Sequence, residues 1–367
     1  MLLAGCATAP AAHGNGVVFD DADFAPQADT IDPAAVFALS PQMLAYIDPH
    51  ITPEQKSKGR QRGLLFGLFA TEQPFLAYEA SVTRTAAEAF DARSGNCLSL
   101  VLMTGAFAKQ LGLGVRYQWI HTWKAWSRDS ELEYLNTHVN LVLTPPNDPH
   151  GDGVLVDFMP PEPNTIQHIY VVDETRIVAM YMNNRAVELL AKGEVDRAYW
   201  WAKAAVQHDA SFFDAVNTLA VVYKARGRLE ADEHALRWVL AQEPDNLVAL
   251  VNLALALDAQ GRKAEADAVN EHVRDLMPVP PFHYYDLGQA ALQKGQFQQA
   301  KELFQKEMRR DAHYDKFHAS LALAHYGLGE LNKAQAQMAI ALENSTTTAD
   351  RAMYTRMLAH LRAGEHP

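Results

Sequence analysis

The sequence predicts two architectures in series: an α+β unit in the N-terminal half and an all-α solenoid in the C-terminal half. Three observations carry this. Gly193, Gly227, Gly261, Gly295 and Gly329 are each separated by 34 residues, a period long enough for one helical pair. Before residue 180 that period is absent, and helical spacing gives way to short strand-like runs. The 367 residues also exceed what one hydrophobic core organises. Composition is that of a globular chain, with 49% hydrophobic and 21% charged residues. A formal net charge of −12 argues against non-specific nucleic-acid binding, which needs a basic surface to neutralise phosphates. Mean hydropathy is −0.18, and no apolar run approaches the roughly 18 residues of a membrane-spanning helix.

Met1–Gly16 is expected to be a shortened signal and a tether. Leu3-Ala4-Gly5-Cys6 resembles the bacterial lipobox, whose cysteine is acylated and becomes the mature N-terminus. The basic region and apolar stretch of about 7–15 residues that usually precede a lipobox are missing from this sequence. Residues 7–16 are small, polar and Pro/Gly-bearing, as a flexible tether would be. The resemblance implies lipidation at Cys6, a periplasmic location and membrane attachment through the lipid alone. It also makes Cys97, the other of the two cysteines, an unpaired thiol in an oxidising compartment. Such a thiol is expected to be kept for its chemistry.

Residues 17–180 are expected to form the α+β unit. Leu64, Leu65 and Leu68, then Ala86, Ala89 and Phe90, mark helical spacing within 53–92. Arg93-Ser94-Gly95-Asn96-Cys97 then leads into an apolar helix running to Leu111, ended by Gly112 and Gly114. Strands are predicted at Val115–Ile120, Val139–Leu143 and Val154–Phe158. The Pro/Asn/Asp/Gly-rich stretch Thr144–Gly153 is the loop between the last two, with Gly151-Asp152-Gly153 as a hairpin turn.

Arg-x-Gly-Asn-Cys at the head of a helix, Thr137-His138-Val139-Asn140 opening a strand and Val156-Asp157-Phe158 on the next resemble the transglutaminase-like cysteine-enzyme superfamily. The similarity covers roughly residues 60–165, and Cys97, His138 and Asp157 follow one another 41 and 19 residues apart. It implies a papain/transglutaminase-like fold, with Cys97 as nucleophile, His138 as base and Asp157 orienting the imidazole. The chemistry asks for the same set. A helix N-terminus and a neighbouring imidazolium both favour a thiolate. The free N–H of Cys97 at that helix start can hold the oxyanion of a tetrahedral intermediate. His138 delivers the proton to the leaving group, and cross-strand neighbours about 5 Å apart can bring His and Asp side by side. The alternative for each residue alone is ordinary packing: a buried thiol, a satisfied strand histidine, a strand-ending aspartate. Trp119, Trp123 and Trp126 read as packing or as an aromatic wall for an extended substrate. Gln73 precedes Cys97, but position alone assigns it no role. His121, His150 and His168 lack the spacing of a zinc set, and no metal or other cofactor is expected.

Residues 181–346 resemble five tetratricopeptide repeats. Small residues stand five after the glycines (Ala198, Ala266, Ala300, Ala334) and seven before them (Ala186, Ala220, Ala254, Gly288, Ala322). Such residues let two helices approach closely, and Pro244 and Pro278 help to end second helices. Asp232 and Glu307 break the small-residue pattern, and looser packing is expected there. Residues 347–367 are expected to cap the last apolar face. The family pattern implies a right-handed superhelix whose concave face takes a protein or peptide. Its lining would draw on Asn183, Asn217, Lys224, Phe282, Tyr285, Gln289, Lys316 and Tyr326, unless these pack within the solenoid.

Together these readings predict a cell-envelope thiol enzyme, a peptidase or amidase, with a solenoid that recruits a protein partner or substrate. Acyl transfer to an amine uses the same machinery. Hydrolysis is favoured because water is abundant and no acceptor-lysine site can be read. The rival is a non-catalytic scaffold lipoprotein whose transglutaminase-like domain is degenerate and only binds.

Overall fold

The computed structural model describes residues 16–69, 77–122, 126–129, 132–135, 138–146, 148, 151–158, 166–345 and 347–363. Cys6 and residues 7–15 of the tether, with Gln73, Trp123, Thr137, His150 and the Trp126 side chain, lie outside the described residues.

The N-terminal helices are short, and their start signals are local. α1 (Pro41–Tyr46) begins with Pro41 in its first turn, and the Ser40 hydroxyl accepts from the Met43 N–H at 3.2 Å. A wide turn leads into α2 (Thr52–Lys58) and α3 (Arg60–Phe69). The two-residue strand β1 (Ala77–Tyr78) follows, then α4 (Ala86–Ala92), whose Thr85–Glu88 capping box satisfies two backbone donors. β2 (Ser94–Gly95) pairs in parallel with β1, and α5 (Cys97–Gln110) starts two residues later.

α5 is buried from Leu98 to Ala108, as expected of a helix apolar on nearly every side. It lies against an antiparallel sheet built from β3 (Gly114–Thr122), β6 (His138–Thr144), β7 (Val154–Val156) and β8 (Ile166–Val172), in the order β7-β6-β3-β8. β4 (Trp126–Asp129) and β5 (Leu132–Leu135) form a separate hairpin. β6 is buried along its length after His138, because it is an inner strand covered by α5. The expected strands are present. The third ends at Val156, so Asp157 sits one residue past the strand. β8 and the β4–β5 hairpin were not predicted: Ile166–Val172 carries two polar residues and no turn signal of its own.

Eleven helices follow among the described residues: α6 (Glu174–Ala191), α7 (Val195–His208), α8 (Phe213–Ala225), α9 (Leu229–Gln242), α10 (Leu247–Ala259), α11 (Lys263–Leu276), α12 (His283–Gln293), α13 (Phe297–Met308), α14 (Asp315–Gly327), α15 (Leu331–Asn344) and α16 (Thr348–Ala363). The first ten make five antiparallel pairs, and α16 covers the last with Tyr354, Leu358 and Leu361. Each repeat glycine is left-handed, with φ between 70° and 79°. The bond pattern explains why. In the first pair Glu194 N–H reaches back to the Leu189 carbonyl (2.9 Å), closing the helix in a Schellman turn that needs φ > 0 at Gly193.

Three expectations change. The boundary placed at residue 180 falls inside α6, whose Asp173 cap starts the first pair seven residues earlier. The start of the expected α+β unit, residues 17–29, lies instead on the solenoid. Phe24 stacks on Tyr199 with centroids 3.8 Å apart, Asp21 accepts from Tyr199 and Lys203 at 2.6 Å each, and Asp29 meets Arg197 and Trp201. An acidic segment has found the basic and aromatic face of α7. Finally, Glu307 does not loosen its pair. Its carboxylate accepts from Tyr284 and Tyr285 N–H at 2.7 and 3.2 Å, capping α12, and pairs with Arg310 at 2.7 Å. Asp232 is equally buried, but its Oδ2 has no partner.

Candidate active site

Three element ends converge: the start of α5, the start of β6 and the residue after β7. Each end is fixed by its own sequence. The Asn96 side chain caps α5, accepting from the Ser99 N–H at 2.9 Å and the Ser99 hydroxyl at 2.8 Å. Gly95 must lack a Cβ because that atom would lie 2.5 Å from Ser99 Cβ. Cys97 therefore stands at the first helical position, half-buried and unpaired. The Asn96 amide donates to Thr83 Oγ1 at 2.7 Å, and Thr83 in turn accepts from Asn184 of α6 at 3.2 Å. The Thr83 N–H is held by Glu188 of the same helix at 2.6 Å. The cysteine turn is thus tied to the first helix of the solenoid through one buried threonine.

His138 and Asp157 meet across the β6–β7 edge. His138 Nε2 lies 2.6 Å from Asp157 Oδ1, with the side chains 13% and 8% exposed. Asp157 Oδ2 accepts from the Asn140 amide at 2.9 Å. His138 and Asn140 are two residues apart on one strand, so both point to the same side. Asn140 has no role in the sequence reading, although that period-two spacing was visible.

The protonation state follows from the same contacts. Burial alone would favour neutral His138. Hydrogen bonds to Asp157 and to Cys97, with electrostatic attraction from the same two groups, outweigh it and raise the imidazole to about 9. With Nε2 engaged by Asp157, Nδ1 is the ring nitrogen left for the sulfur. The structure brings Cys97, His138 and Asp157 into one chain of contacts, in the order the sequence suggested. Tyr78 stands beside this turn, its backbone paired with Gly95, and burial together with the neighbouring Cys97 pushes its phenol above the ordinary range. Tyr78 was missed, and no spacing rule could have found it: it is 19 residues upstream and arrives through β1–β2 pairing.

Other candidates separate from this centre. Trp119 is packing: its ring meets His121, Tyr170 and Phe212 within 6.0 Å, with the Arg176 guanidinium alongside. Among the proposed groove residues, Phe282 is buried against Tyr314 and Phe317, Tyr285 packs on Phe304, and Gln289 donates to Ser320 at 2.8 Å. Asn217 is buried and bonded to Asn246. These four serve the inside of the solenoid. Asn183 remains half-buried, with its Oδ1 unpartnered.

Comparison with known proteins bears on the solenoid. The tetratricopeptide repeat family matches residues 247–269, which include all of α10 and the start of α11. The Pseudomonas aeruginosa pilF protein is 24% identical, covering 52% of this chain and 86% of its own, with a TM-score of 0.31. A thermophilic TPR protein of Thermus thermophilus is 21% identical over 49% of this chain and 99% of its own, with a TM-score of 0.31. The MamA protein is 22% identical over 47% of this chain and 92% of its own, with a TM-score of 0.26. No curated protein matches the chain. Superpositions this loose carry no argument by themselves, so the assignment stands on the matched motif and on the helical pairs closed by in-phase glycines. On that footing the C-terminal half is a solenoid of five antiparallel helical pairs that resembles tetratricopeptide repeats, with residues 247–269 matching that family.

Proposed function

We propose that this chain is a cell-envelope thiol enzyme, a peptidase or amidase of transglutaminase-like type, whose solenoid holds a protein partner or substrate beside the thiol. The observation that carries the reading is the 2.6 Å His138–Asp157 contact with Cys97, at a helix start, on the other side of the same imidazole. Asp157 fixes the ring and favours its protonated form, and Asn140 fixes Asp157. The Cys97 thiolate attacks the substrate carbonyl. His138 gives its proton to the departing amine, and a thioester remains on Cys97. His138, now neutral, takes a proton from water, which hydrolyses the thioester. An amine in place of water would make the reaction acyl transfer. The chemistry requires no metal or cofactor.

The test is labelling by a thiol-directed acyl or vinyl probe at pH 7. Wild type should label far faster than an ordinary thiol, Cys97→Ala should not label, and His138→Ala should label slowly. Equal slow labelling of wild type and His138→Ala, with cellular function intact in the latter, would establish the scaffold reading instead. We assign the envelope location to acylation at Cys6. Expression behind a lipoprotein signal sequence should place the wild type in membranes and Cys6→Ser in the soluble fraction; unchanged membrane association would remove the anchor.

A further inference from the structure

Residues 17–31 cross the solenoid as an irregular segment with one short turn at Asp21–Asp23. Their buried side chains are Val17 and Phe24; the others are half-buried or exposed. Phe24, stacked on Tyr199, also meets the Tyr223 ring at 6.0 Å, and the Arg226 guanidinium lies 5.4 Å over it. Solenoid side chains reach the main chain on both sides of that anchor. The Val18 carbonyl accepts from the Tyr223 hydroxyl at 3.0 Å, and the Asp23 carbonyl from Arg226 Nε at 2.8 Å. The Ala25 carbonyl accepts from Trp200 Nε1 at 2.8 Å, and the Ala25 N–H donates to Asp196 at 3.0 Å. Carboxylates meet cations along the same line: Asp21 with Lys203 at 2.6 Å, Asp23 with Arg228 at 2.7 Å and Asp29 with Arg197 at 2.9 Å. Main-chain bonds, an aromatic anchor and flanking charges are how a receptor surface holds a peptide.

We propose that the face made by α7, the end of α8 and the start of α9 is a receptor for an extended acidic segment of a partner protein, and that residues 17–31 fill it as an intramolecular ligand. This deepens the recruitment part of the reading above and rests on it; neither the thiol nor the anchor enters. The chain's own segment displays the chemistry the face selects: a phenylalanine with one carboxylate three residues before it and another five after it. Charge points the same way. In a chain of net charge −12, Arg197, Lys203, Arg226 and Arg228 are gathered beside Tyr199, Tyr223 and Trp200. A departing segment therefore leaves a basic, aromatic face that an anionic, aromatic partner complements. The surroundings permit the exchange. Thr30 and Asp32 are exposed, and the turn that follows, Pro33–Phe37, is fixed separately. Val36 is 1% exposed, and Phe37 packs on Tyr117 of β3 with centroids 5.9 Å apart. Rotation about residues 30–32 frees the segment while α5 and the sheet stay in place. Because the segment is tethered, it competes at an effective concentration of about a millimolar, so only a well-matched partner displaces it.

The probe is an isotopically heavy peptide with the sequence of Val17–Ile31, added to the full chain. In Asp21→Lys/Asp29→Lys the tethered segment is repelled by Lys203 and Arg197, and the peptide should bind at least roughly tenfold tighter than to wild type. The same peptide carrying Phe24→Ala should bind that opened variant at least roughly tenfold more weakly. In wild type, saturating peptide should speed hydrogen exchange at the Asp20 and Ala25 amides of the chain, which the docked segment bonds to Tyr223 and Asp196. If the double lysine variant does not fold, Asp21→Asn/Asp29→Asn replaces it with the same expected direction. Equal affinity for wild type and the opened variant, no binding to the opened variant, or unchanged exchange at the two amides would overturn the proposal. Wild type that dimerises by exchanging this segment would assign the face to a second copy and overturn the partner. Failure of the recruitment reading registers separately: the peptide would bind as expected, while Arg226→Glu, which reverses a charge on the face, would leave cellular function intact.

Discussion

The two halves of the molecule bury polar side chains to different ends. Around α5 and β6, a chain of buried polar groups positions the thiol and the imidazole: Thr83 is tied to Asn96, Asn96 to Ser99, Asn140 to Asp157, Asp157 to His138. In the solenoid the repeat pattern wants small apolar residues, and two carboxylates intrude. Glu307 has been put to use as a helix cap, and Asp232 has not. On the proposed reading, buried polarity in the first region serves a reaction, and in the second it is tolerated or repaired. Substitutions in the first should therefore read out in reaction rate, and in the second only in stability.

The largest effect is expected at the pair that defines the first region. His138→Gln should lower acylation of Cys97 by at least roughly 1000-fold, in the range seen when a triad member is removed. Its effect on stability should depend on pH in a stated direction. Folded His138 titrates near 9, against about 6.5 when unfolded, so the folded state holds the proton more tightly. The stabilisation is complete below about pH 6.5 and is lost as pH rises through about 9, with a ceiling of about 3 kcal/mol. Melting curves at pH 6 and pH 10 check this: wild type should lose more than His138→Gln. Equal losses would show that the imidazole gains nothing from Asp157 and Cys97.

A smaller, mixed effect is expected where the two regions touch. Thr83→Val keeps shape but removes the acceptor shared by Asn96 and Asn184. Leaving buried amides unpaired costs about 1–3 kcal/mol, and loosening the cysteine turn should slow acylation roughly tenfold. Denaturant unfolding and probe kinetics on one preparation separate the two. A change in stability with no change in rate would place Thr83 with the solenoid.

The regions also differ in how much the sequence disclosed. A solenoid is written five times, so the spacing of Gly193 and its four successors is enough to announce the turn geometry. Cys97, His138 and Asp157 were legible as candidates because few residue types can do thiol chemistry and because their order along the chain matches the family they resemble. Their supporters were less so. Asn140 shares a strand face with His138 and could have been found from that spacing, whereas Tyr78 and Thr83 are placed by pairings that no local pattern encodes. The acidic run Asp20–Asp23 gave no sign that it would cross to α7, because its partners Tyr199 and Lys203 lie nearly 180 residues away. Long-range placement depends on which surfaces remain uncovered after the local elements have formed, and that is a property of the whole chain.

Within the solenoid, the comparison between the two intruding carboxylates can be sharpened. Glu307→Ala removes the acceptor for Tyr284 and Tyr285 N–H and the partner of Arg310. A loss of about 1–3 kcal/mol is expected, with thiol reactivity unchanged. Glu307→Gln keeps an acceptor and should lose less, as chemical denaturation will show.

Asp232→Ala should act with the opposite sign. Asp232 occupies the place taken by Ala198, Ala266, Ala300 and Ala334 in the other pairs, and it is 1% exposed. Burial raises its carboxyl to about 7, with the Lys224 charge offsetting this in part and Glu233 adding to it. A raised acid binds its proton more tightly when folded than when unfolded. Its favourable contribution is present at low pH and is lost as pH rises from about 4 through about 7. Above that range the folded chain carries a buried charge that unfolding would release to water. Alanine removes this charge without opening a large cavity, since the helices at that contact already approach closely in the other pairs. Asp232→Ala is therefore expected to gain about 1–3 kcal/mol at pH 8 and much less at pH 4. Thermal melts at the two pH values decide it. A loss at pH 8 would mean that the carboxylate earns its place through Lys224, and Asp232 would then join Glu307 among the intruders put to use.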